Sequence, residues 1–334
     1  MSEQHRAPRD LQDLLRLAVE HQVARAGDES VDTPSAETPS VASDPERASW
    51  LNEALNSLQN DPVSEMKKGI AFLSEGIEKI QVSGLDEKFE EEFVYTLDTL
   101  VDYVGSIDYA NDFIKLNGLK LITPLLNIAS VEIKSKACDV FAEIVQNNPN
   151  GQKAAIETDI LQTLTDVLDS DQSEQAKIKS LYAISCLIRD NRQAAVLFDK
   201  EHDGLSVLLR AMQRETETHK LRIKSSFLIT ALAAEVPEIK ETLFKMGLVE
   251  QLVGLLHTEH NASHEYLLSA LNAIITDNAK AVQECRRQEL GLQDLLKTKL
   301  FSLANQPEFA EERYFATEVL RACFPNSDQV EEER

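Results

Sequence analysis

The chain has 334 residues, of which 43% are apolar, and its 34 Lys and Arg against 57 Asp and Glu give a formal net charge of −23. Nucleic acids and anionic membranes select basic surfaces, so this charge argues against both as partners. With 11 Gly and 10 Pro, the composition favours an all-α protein. The acidity has two open explanations, solubility or attraction to a basic protein surface.

The four cysteines, Cys138, Cys186, Cys285 and Cys323, are far apart and form no Cys-x-x-Cys motif. This usage predicts a reducing compartment and no disulfide framework. The N-terminus lacks the apolar core of a signal peptide, and no run reaches the ~18 apolar residues of a membrane helix. We therefore expect a cytoplasmic protein.

Residues 1–27 form the first predicted element. Leu11, Leu14, Leu15 and Ala18 recur at the three- and four-residue steps of one helix face. Residues 28–47 are rich in Ser, Thr, Pro and acidic side chains, and we expect them to be a disordered linker because they have almost nothing to bury. The tethered segment either docks on its own chain or engages a groove on a partner.

A folded domain is expected from residue 48 to residue 325. Asp61 and Pro62 are typical of a helix start, because Asp accepts from free backbone N–H groups and Pro suits the first helical position. The segment from Asp86 to Val104 predicts a long amphipathic helix. We expect these elements to cap the N-terminal end of a larger core.

One helical pattern then returns at a nearly constant interval. Its best copy runs from Lys177 to Asn191 and carries an apolar stripe at helical spacing, formed by Leu181, Ile184, Leu187 and Ile188. Equivalent helices recur at steps of 43, 45 and 42 positions, marked by Lys136, Lys179, Lys224 and Tyr266. Such repetition is typical of a helical solenoid; the alternative is a bundle with accidental similarity.

A second repeated element is a sharp corner between helices. Its copies are spaced by 41, 45, 43 and 44 positions and lie at Gly118, Asp159, Gly204, Gly247 and Gly291. Gly takes positive φ at little cost, and Asp tolerates it better than most residues. The pattern predicts an all-α, armadillo-like solenoid, with four repeats from about residue 111 to residue 277 and helical caps at both ends. Residues 326–334 form an acidic tail.

Catalytic chemistry finds little support in the sequence. His257, His260 and His264 have zinc-like spacings, but they lie in one loop without a supporting ligand pair. No Gly-rich phosphate loop, nucleophile elbow or Ser/His/Asp arrangement occurs. We therefore predict that the protein is not an enzyme and holds no metal or cofactor.

The remaining candidate site is a surface. In an armadillo superhelix the third helix of each repeat lines the concave face. The outward positions of these helices carry Lys136, Asp139, Glu143, Lys179, Tyr182, Arg189, Lys224 and Phe227, and Glu265 is added from the fourth repeat. Aromatic and Arg side chains are enriched in protein interfaces, so this set predicts a partner-binding face. The alternatives are core packing for the aromatic side chains and a solvated face for the lysines.

Several segments resemble the heat-shock-protein-70-binding protein family, the armadillo-type nucleotide exchange factors of the Hsp70 chaperone. They are Lys179–Arg189, Gly204–Gln213, Lys224–Leu228, Met246–Val253 and Glu284–Leu292. Residues 11–18 are similar to the N-terminal segment of that family, and the resemblance spans about residues 8–324. The linker departs from the family in length and composition, so the spacing between the parts is not carried over.

The resemblance implies a core that clasps the second lobe of the Hsp70 ATPase domain, opens the nucleotide cleft and releases ADP. It also implies that the N-terminal segment occupies the peptide-binding domain and helps to release substrate. The alternative is an armadillo scaffold or peptide-binding adaptor, whose third helices usually carry ladders of Asn and Trp. Those positions here hold residues such as Asp139, Tyr182 and Phe227. We therefore prefer an Hsp70 co-chaperone that acts as a monomer.

Overall fold

The computed structural model describes residues 61–216 and 218–325. Across these residues the regular structure is helical, which confirms the predicted fold class. None of the helices in the two ranges is long and apolar enough to span a bilayer. The predicted N-terminal segment, linker, domain start at residue 48 and acidic tail lie outside the described residues.

The chain divides into two compact units between Lys68 and Gly69. Of the first unit, the described part is the start of helix α1 (Pro62–Ser83). Asp61 Oδ1 accepts from the backbone N–H of Val63 at 3.2 Å, so Asp61 and Pro62 open the helix as predicted.

The second unit begins with the rest of α1 and with α2 (Glu87–Val104). Asp86 caps α2, because its Oδ1 accepts from the backbone N–H of Phe89 at 2.9 Å. The rings of Phe72, Phe89 and Phe93 form an aromatic cluster with centroids 5.0 to 5.9 Å apart. This cluster joins α1 to α2 within the second unit.

Three-helix repeats follow, each with a short first helix, a second helix and a longer third helix. The first is α3 (Ile107–Lys115), α4 (Ile122–Leu126) and α5 (Val131–Val145), and the second is α6 (Pro149–Ile156), α7 (Ile160–Ser170) and α8 (Glu174–Ile188). The third is α9 (Arg192–Lys200), α10 (Gly204–Gln213) and α11 (Lys220–Glu235), and the fourth is α12 (Pro237–Lys245), α13 (Leu248–Leu256) and α14 (His264–Ile275). The C-terminal helices, predicted as a cap, keep the same order in α15 (Ala279–Cys285), α16 (Leu292–Ser302) and α17 (Ala310–Cys323).

The third helices stack on one another in chain order. Helix α5 packs between α2 and α8, α11 between α8 and α14, and α14 between α11 and α17. Each inner third helix therefore packs against two other helices of the stack and against the second helix of its own repeat. The predicted stripe of α8 is fully buried at Leu181, Ile184, Leu187 and Ile188. The remaining side of each third helix carries the polar and aromatic positions predicted as a partner face.

The corners between first and second helices confirm the prediction only in part. Gly247 and Gly291 have positive φ, at 74° and 58°. At the other two glycine corners the preceding residue takes this conformation instead, so the predicted role of Gly118 and Gly204 is wrong. These glycines are needed for space, because a Cβ at either would lie 2.4 Å from the ring of Phe113 or Phe198. Asp159 has φ of −87°, so it does not take the left-handed conformation either.

A second set of turns, which the sequence analysis missed, ends three of the third helices. Asn147, Asp190 and Asp277 each have positive φ, between 53° and 56°. Asn191 and Asn278, which follow two of these residues, cap the next helix by accepting from the N–H three residues on at 3.1 and 3.2 Å. Asn148, which follows Asn147, instead donates from Nδ2 to the backbone oxygen of Ile144 at 2.9 Å. The repeated Asn-Asn or Asp-Asn pair thus closes one repeat and opens the next.

Candidate functional site

Two predicted lysines of the third-helix face are held in ion pairs that join neighbouring third helices. Lys136 on α5 binds the carboxylate of Asp98 on α2. Lys179 on α8 lies 2.7 and 2.8 Å from the two carboxylate oxygens of Asp139 on α5. Such partly exposed pairs contribute little to stability. They fix the positions of the side chains and leave these lysines less available to a partner.

These lysines and their partners form an array of side chains along the third helices. In the next repeat of this array the partner of the lysine is an aromatic ring instead of a carboxylate. Lys224 on α11 lies over Tyr182 on α8, with Nζ 5.8 Å from the ring centroid. The Tyr182 hydroxyl donates to Gln146 Oε1 at 3.4 Å. Burial, together with the neighbouring Cys186 and Glu143, raises the pKa of Tyr182 to about 12. The hydroxyl therefore stays protonated at neutral pH.

Arg189, which is half-buried, and Phe227, which is exposed, form a cation–π pair between α8 and α11. The Arg189 guanidinium lies 5.6 Å from the centroid of the Phe227 ring, which is 48% exposed. Phe227 is thus at the surface, and the alternative that it belongs to the core is wrong. The Nε of Arg189 is buried and has no hydrogen-bond partner in the structure. An aromatic ring beside an Arg with a spare donor is typical of an interface anchor.

A pocket of about 270 Å³ opens beside Arg189, where α5 and α8 end. Its walls include Gln146, Asn147, Gln152, Cys186 and Arg189. The side-chain amides offer donors and acceptors, Arg189 adds a positive charge, and Asp190, which also lines the pocket, adds a negative one. This chemistry suits a polar side chain of a protein partner better than an apolar one.

Of the other predicted positions, Glu143 lies beside Tyr182 and Glu265 lies in the fourth repeat. Cys186, which lines the pocket, is only 5% exposed. Glu143 is half-buried, near Gly105 of the turn after α2. Glu265 on α14 lies near Glu311 on α17, and burial followed by repulsion from Glu311 raises the pKa of Glu265. A raised pKa at Glu265 weakens the case for a negative anchor there.

Of the three histidines flagged by their spacing, His257 lies apart from the other two in the structure. His257 Nε2 lies 2.9 Å from the backbone oxygen of Leu290. Among the described residues, atoms of His260, His264 and Glu312 come within 4.8 Å of one another, a grouping able to hold a metal ion. Lys299 Nζ, however, lies 2.8 Å from His264 Nδ1 and 2.9 Å from Glu312 Oε1. An ammonium already occupies the place of a cation, so we assign no metal to this cluster.

Two parts of the array were not among the positions predicted from the sequence. Asp98 lies in a helix predicted as a cap, yet it stands 38 positions before Lys136, as Asp139 stands 40 before Lys179. Extending the repeat spacing into the cap would have found it. The pocket residues Asn147 and Gln152 follow the third helix, where the apolar pattern gives no signal.

The sequence matches known protein families and curated relatives over most of its length. Residues 109–246 match the SIL1/FES1/HPBP1 C-terminal domain family, and residues 11–113 match the family described as nucleotide exchange factor Fes1. Human Hsp70-binding protein 1 is 35% identical over 332 residues, which cover 98% of this chain and 89% of that protein. The Hsp70 nucleotide exchange factor fes1 of Schizosaccharomyces pombe is 26% identical, over 72% of this chain and 80% of its own length.

Solved structures with the same fold are armadillo repeat proteins. A designed armadillo repeat protein matches 77% of this chain and 99% of its own with a TM-score of 0.59 and 21% identity. A computationally designed armadillo protein for modular peptide recognition matches the same share with a TM-score of 0.60 and 22% identity. At this level of identity the likeness establishes the armadillo fold alone.

Proposed function

The chain belongs to the family of Hsp70-binding protein 1, SIL1 and Fes1, and from this premise we propose that it is a nucleotide exchange factor of an Hsp70-class chaperone. In this proposal the third-helix face is concave and clasps the ATPase domain of the chaperone. The observation that carries it is the pair of half-buried Arg189 and exposed Phe227, within residues 109–246.

The proposed mechanism needs no catalytic residue, so the protein is not an enzyme. A rigid face that binds the open ATPase domain more tightly than the closed one shifts the conformational equilibrium by the ratio of the two affinities. The packed third helices supply such rigidity, because each inner one is held on two sides. ADP then leaves because its cleft is open for more of the time.

The affinities of the two ligands are coupled, and this gives the first experiment. If the protein weakens ADP binding, ADP must weaken the binding of the protein by the same factor. Calorimetry with purified Hsp70 should therefore show tighter binding without nucleotide than with saturating ADP. Equal affinity in both conditions would leave an adaptor without exchange activity, and no binding in either would remove Hsp70 as the partner.

A second function is proposed for the N-terminal segment, whose residues lie outside the described part of the chain. Leu11, Leu14, Leu15 and Ala18 form a short apolar face, which is marginal as an isolated helix. On a tether, such a segment reaches the peptide groove of a bound chaperone at high effective concentration. We propose that it competes with client polypeptides there and helps to release them.

Location and assembly complete the proposal. We propose that the protein acts in the cytosol, which the scattered cysteines support. Cys138, Cys186, Cys285 and Cys323 are all free thiols and buried in the structure. We further propose that one copy of the chain acts on one chaperone, because a single third-helix face holds the whole set of predicted contacts.

A further inference from the structure

Two thiols meet where the last repeat ends. Cys285 is the last residue of α15, Cys323 is the last residue of α17, and these helices pack against each other. The two side chains are 0% and 1% exposed and lie close enough for each thiol to shift the pKa of the other. Arg286 joins the same helix ends, since its Nε donates to the backbone oxygen of Cys323 at 2.5 Å.

The surroundings of the two sulfurs make them unequal. The neighbouring Cys285 thiol, which can donate to Cys323, holds the pKa of Cys323 below its usual value despite burial, and the nearby charge of Arg286 helps. The same neighbour, followed by burial, raises the pKa of Cys285. Cys323 is therefore the sulfur that more readily becomes a thiolate, the form that attacks oxidants.

The position of Cys323 also gives a route to solvent. The last turn of a helix frays more readily than its middle, because few backbone bonds hold it. Fraying at the end of α17 exposes Cys323 without opening the repeats behind it. Cys138 offers a contrast: it lies in the middle of α5, and burial raises its pKa.

We propose that Cys285 and Cys323 form a redox-active dithiol that hydrogen peroxide converts to a disulfide. The Cys323 thiolate attacks one peroxide oxygen, the O–O bond breaks, and the released hydroxide takes a proton to become water. Cys285 then attacks the sulfur of the resulting sulfenic acid, an S–S bond forms, and the second oxygen leaves as water. Two thiols and one peroxide thus give one disulfide and two waters, with sulfur oxidised and oxygen reduced.

Mass spectrometry of the full chain tests this proposal without any variant. After peroxide treatment, the protein is unfolded and its free thiols are alkylated with N-ethylmaleimide. We expect two fewer labels than before treatment and a linked peptide pair that contains Cys285 and Cys323, with both labels restored by dithiothreitol. Four labels after treatment, or oxygen added to Cys323 without cross-linking, would overturn the proposal.

Matched variants sharpen the assignment. In Cys285→Ala the sulfenic acid on Cys323 has no partner, so it should be trapped by dimedone at Cys323. In Cys138→Ala, which removes another fully buried thiol, the cross-link should form as in the wild-type chain. A dimedone adduct at Cys138 or Cys186 in place of Cys323 would contradict the proposed order of attack.

Discussion

Lys177 and Arg222 occupy equivalent positions in successive repeats, and both donate hydrogen bonds to backbone oxygens at the end of the preceding helix. Lys177 on α8 donates to the backbone oxygens of Leu168 and Asp169 at 2.8 Å, where α7 ends. Arg222 on α11 donates from Nε to the oxygen of Met212 at 3.0 Å, where α10 ends. Each buried cation therefore satisfies the free carbonyl groups of the preceding helix.

Replacing one of these cations should destabilise the fold. Lys177→Met removes the donors to Leu168 and Asp169, and an unsatisfied buried acceptor costs about 1 to 3 kcal/mol. The matched control is Lys153→Met, because Lys153 is exposed. Urea unfolding should show a lower midpoint for Lys177→Met than for the wild-type chain. The free energy of unfolding of Lys153→Met should stay within about 0.5 kcal/mol of the wild-type value. Equal midpoints would mean that water takes over the role of Lys177.

The lack of space for a Cβ at two corner glycines predicts a second effect on stability. Gly204→Ala places a Cβ 2.4 Å from the Phe198 ring and should cost about 1 to 3 kcal/mol through strained packing. Gly254→Ala, in α13, meets nothing within 4 Å and should be neutral or stabilise by up to about 1 kcal/mol. The melting temperature of Gly204→Ala should fall, and that of Gly254→Ala should stay the same or rise. Equal losses of stability in the two variants would indicate that both positions need glycine for its backbone conformation instead.

The fourth repeat places His264 where the two preceding repeats have Lys177 and Arg222. His264 is 1% exposed, and burial, followed by repulsion from Lys299, lowers its pKa to about 4. In the unfolded chain the pKa of His is about 6.5, so the folded state binds fewer protons. The stability linked to His264 is therefore complete above pH 6.5 and is lost as the pH falls towards 4.

Chemical unfolding across this pH range checks the prediction for His264. The wild-type chain should lose up to about 3 kcal/mol at pH 4 through this residue. His264→Asn, which cannot be protonated, should be less stable at pH 7.5 and should show a flatter pH dependence. Parallel pH curves for the two proteins would show that His264 does not titrate differently in the folded state.

The repeats were predictable because the helices obey strong local rules. The apolar period of residues such as Leu181 and Ile184 fixes a buried stripe, and its return every 42 to 45 positions fixes the solenoid. The corner chemistry was less predictable, because Gly118 and Gly247 are the same residue in different conformations. Gly118 is required because a Cβ there would clash with the Phe113 ring, and only the tertiary structure shows this contact.

The face was predictable as a set of positions, not as a set of interactions. Lys136, Lys179 and Lys224 hold equivalent positions in the repeat, yet the first two bind carboxylates and the third lies over the ring of Tyr182. The partner is supplied by the preceding helix of the stack, and the periodicity of one helix does not predict which residue that is. The buried cations Lys177 and Arg222 had a signal that was overlooked, since each stands two positions before a lysine of the face.

A prediction for the partner face follows from its geometry. Arg189→Ala and Phe227→Ala should each weaken Hsp70 binding by about 2 kcal/mol, or ~30-fold, if they anchor the interface. Arg192→Ala is the matched control, because Arg192 lies on α9 and pairs with Glu238. Lys179→Ala should have a smaller effect than Arg189→Ala, since Lys179 is engaged by Asp139. Calorimetry of these variants would count against this face if Arg189→Ala and Phe227→Ala kept wild-type affinity.

The release of a fluorescent ADP analogue from Hsp70, followed by stopped flow, tests the central claim most directly. Saturating wild-type protein should accelerate release, and the double variant Arg189→Ala/Phe227→Ala, with an unchanged circular dichroism spectrum and melting temperature, should not at the same concentration. Deleting residues 1–27 should leave the acceleration intact. An unchanged release rate with the wild-type chain would contradict the proposed exchange activity, and equal acceleration by the double variant would contradict the proposed face.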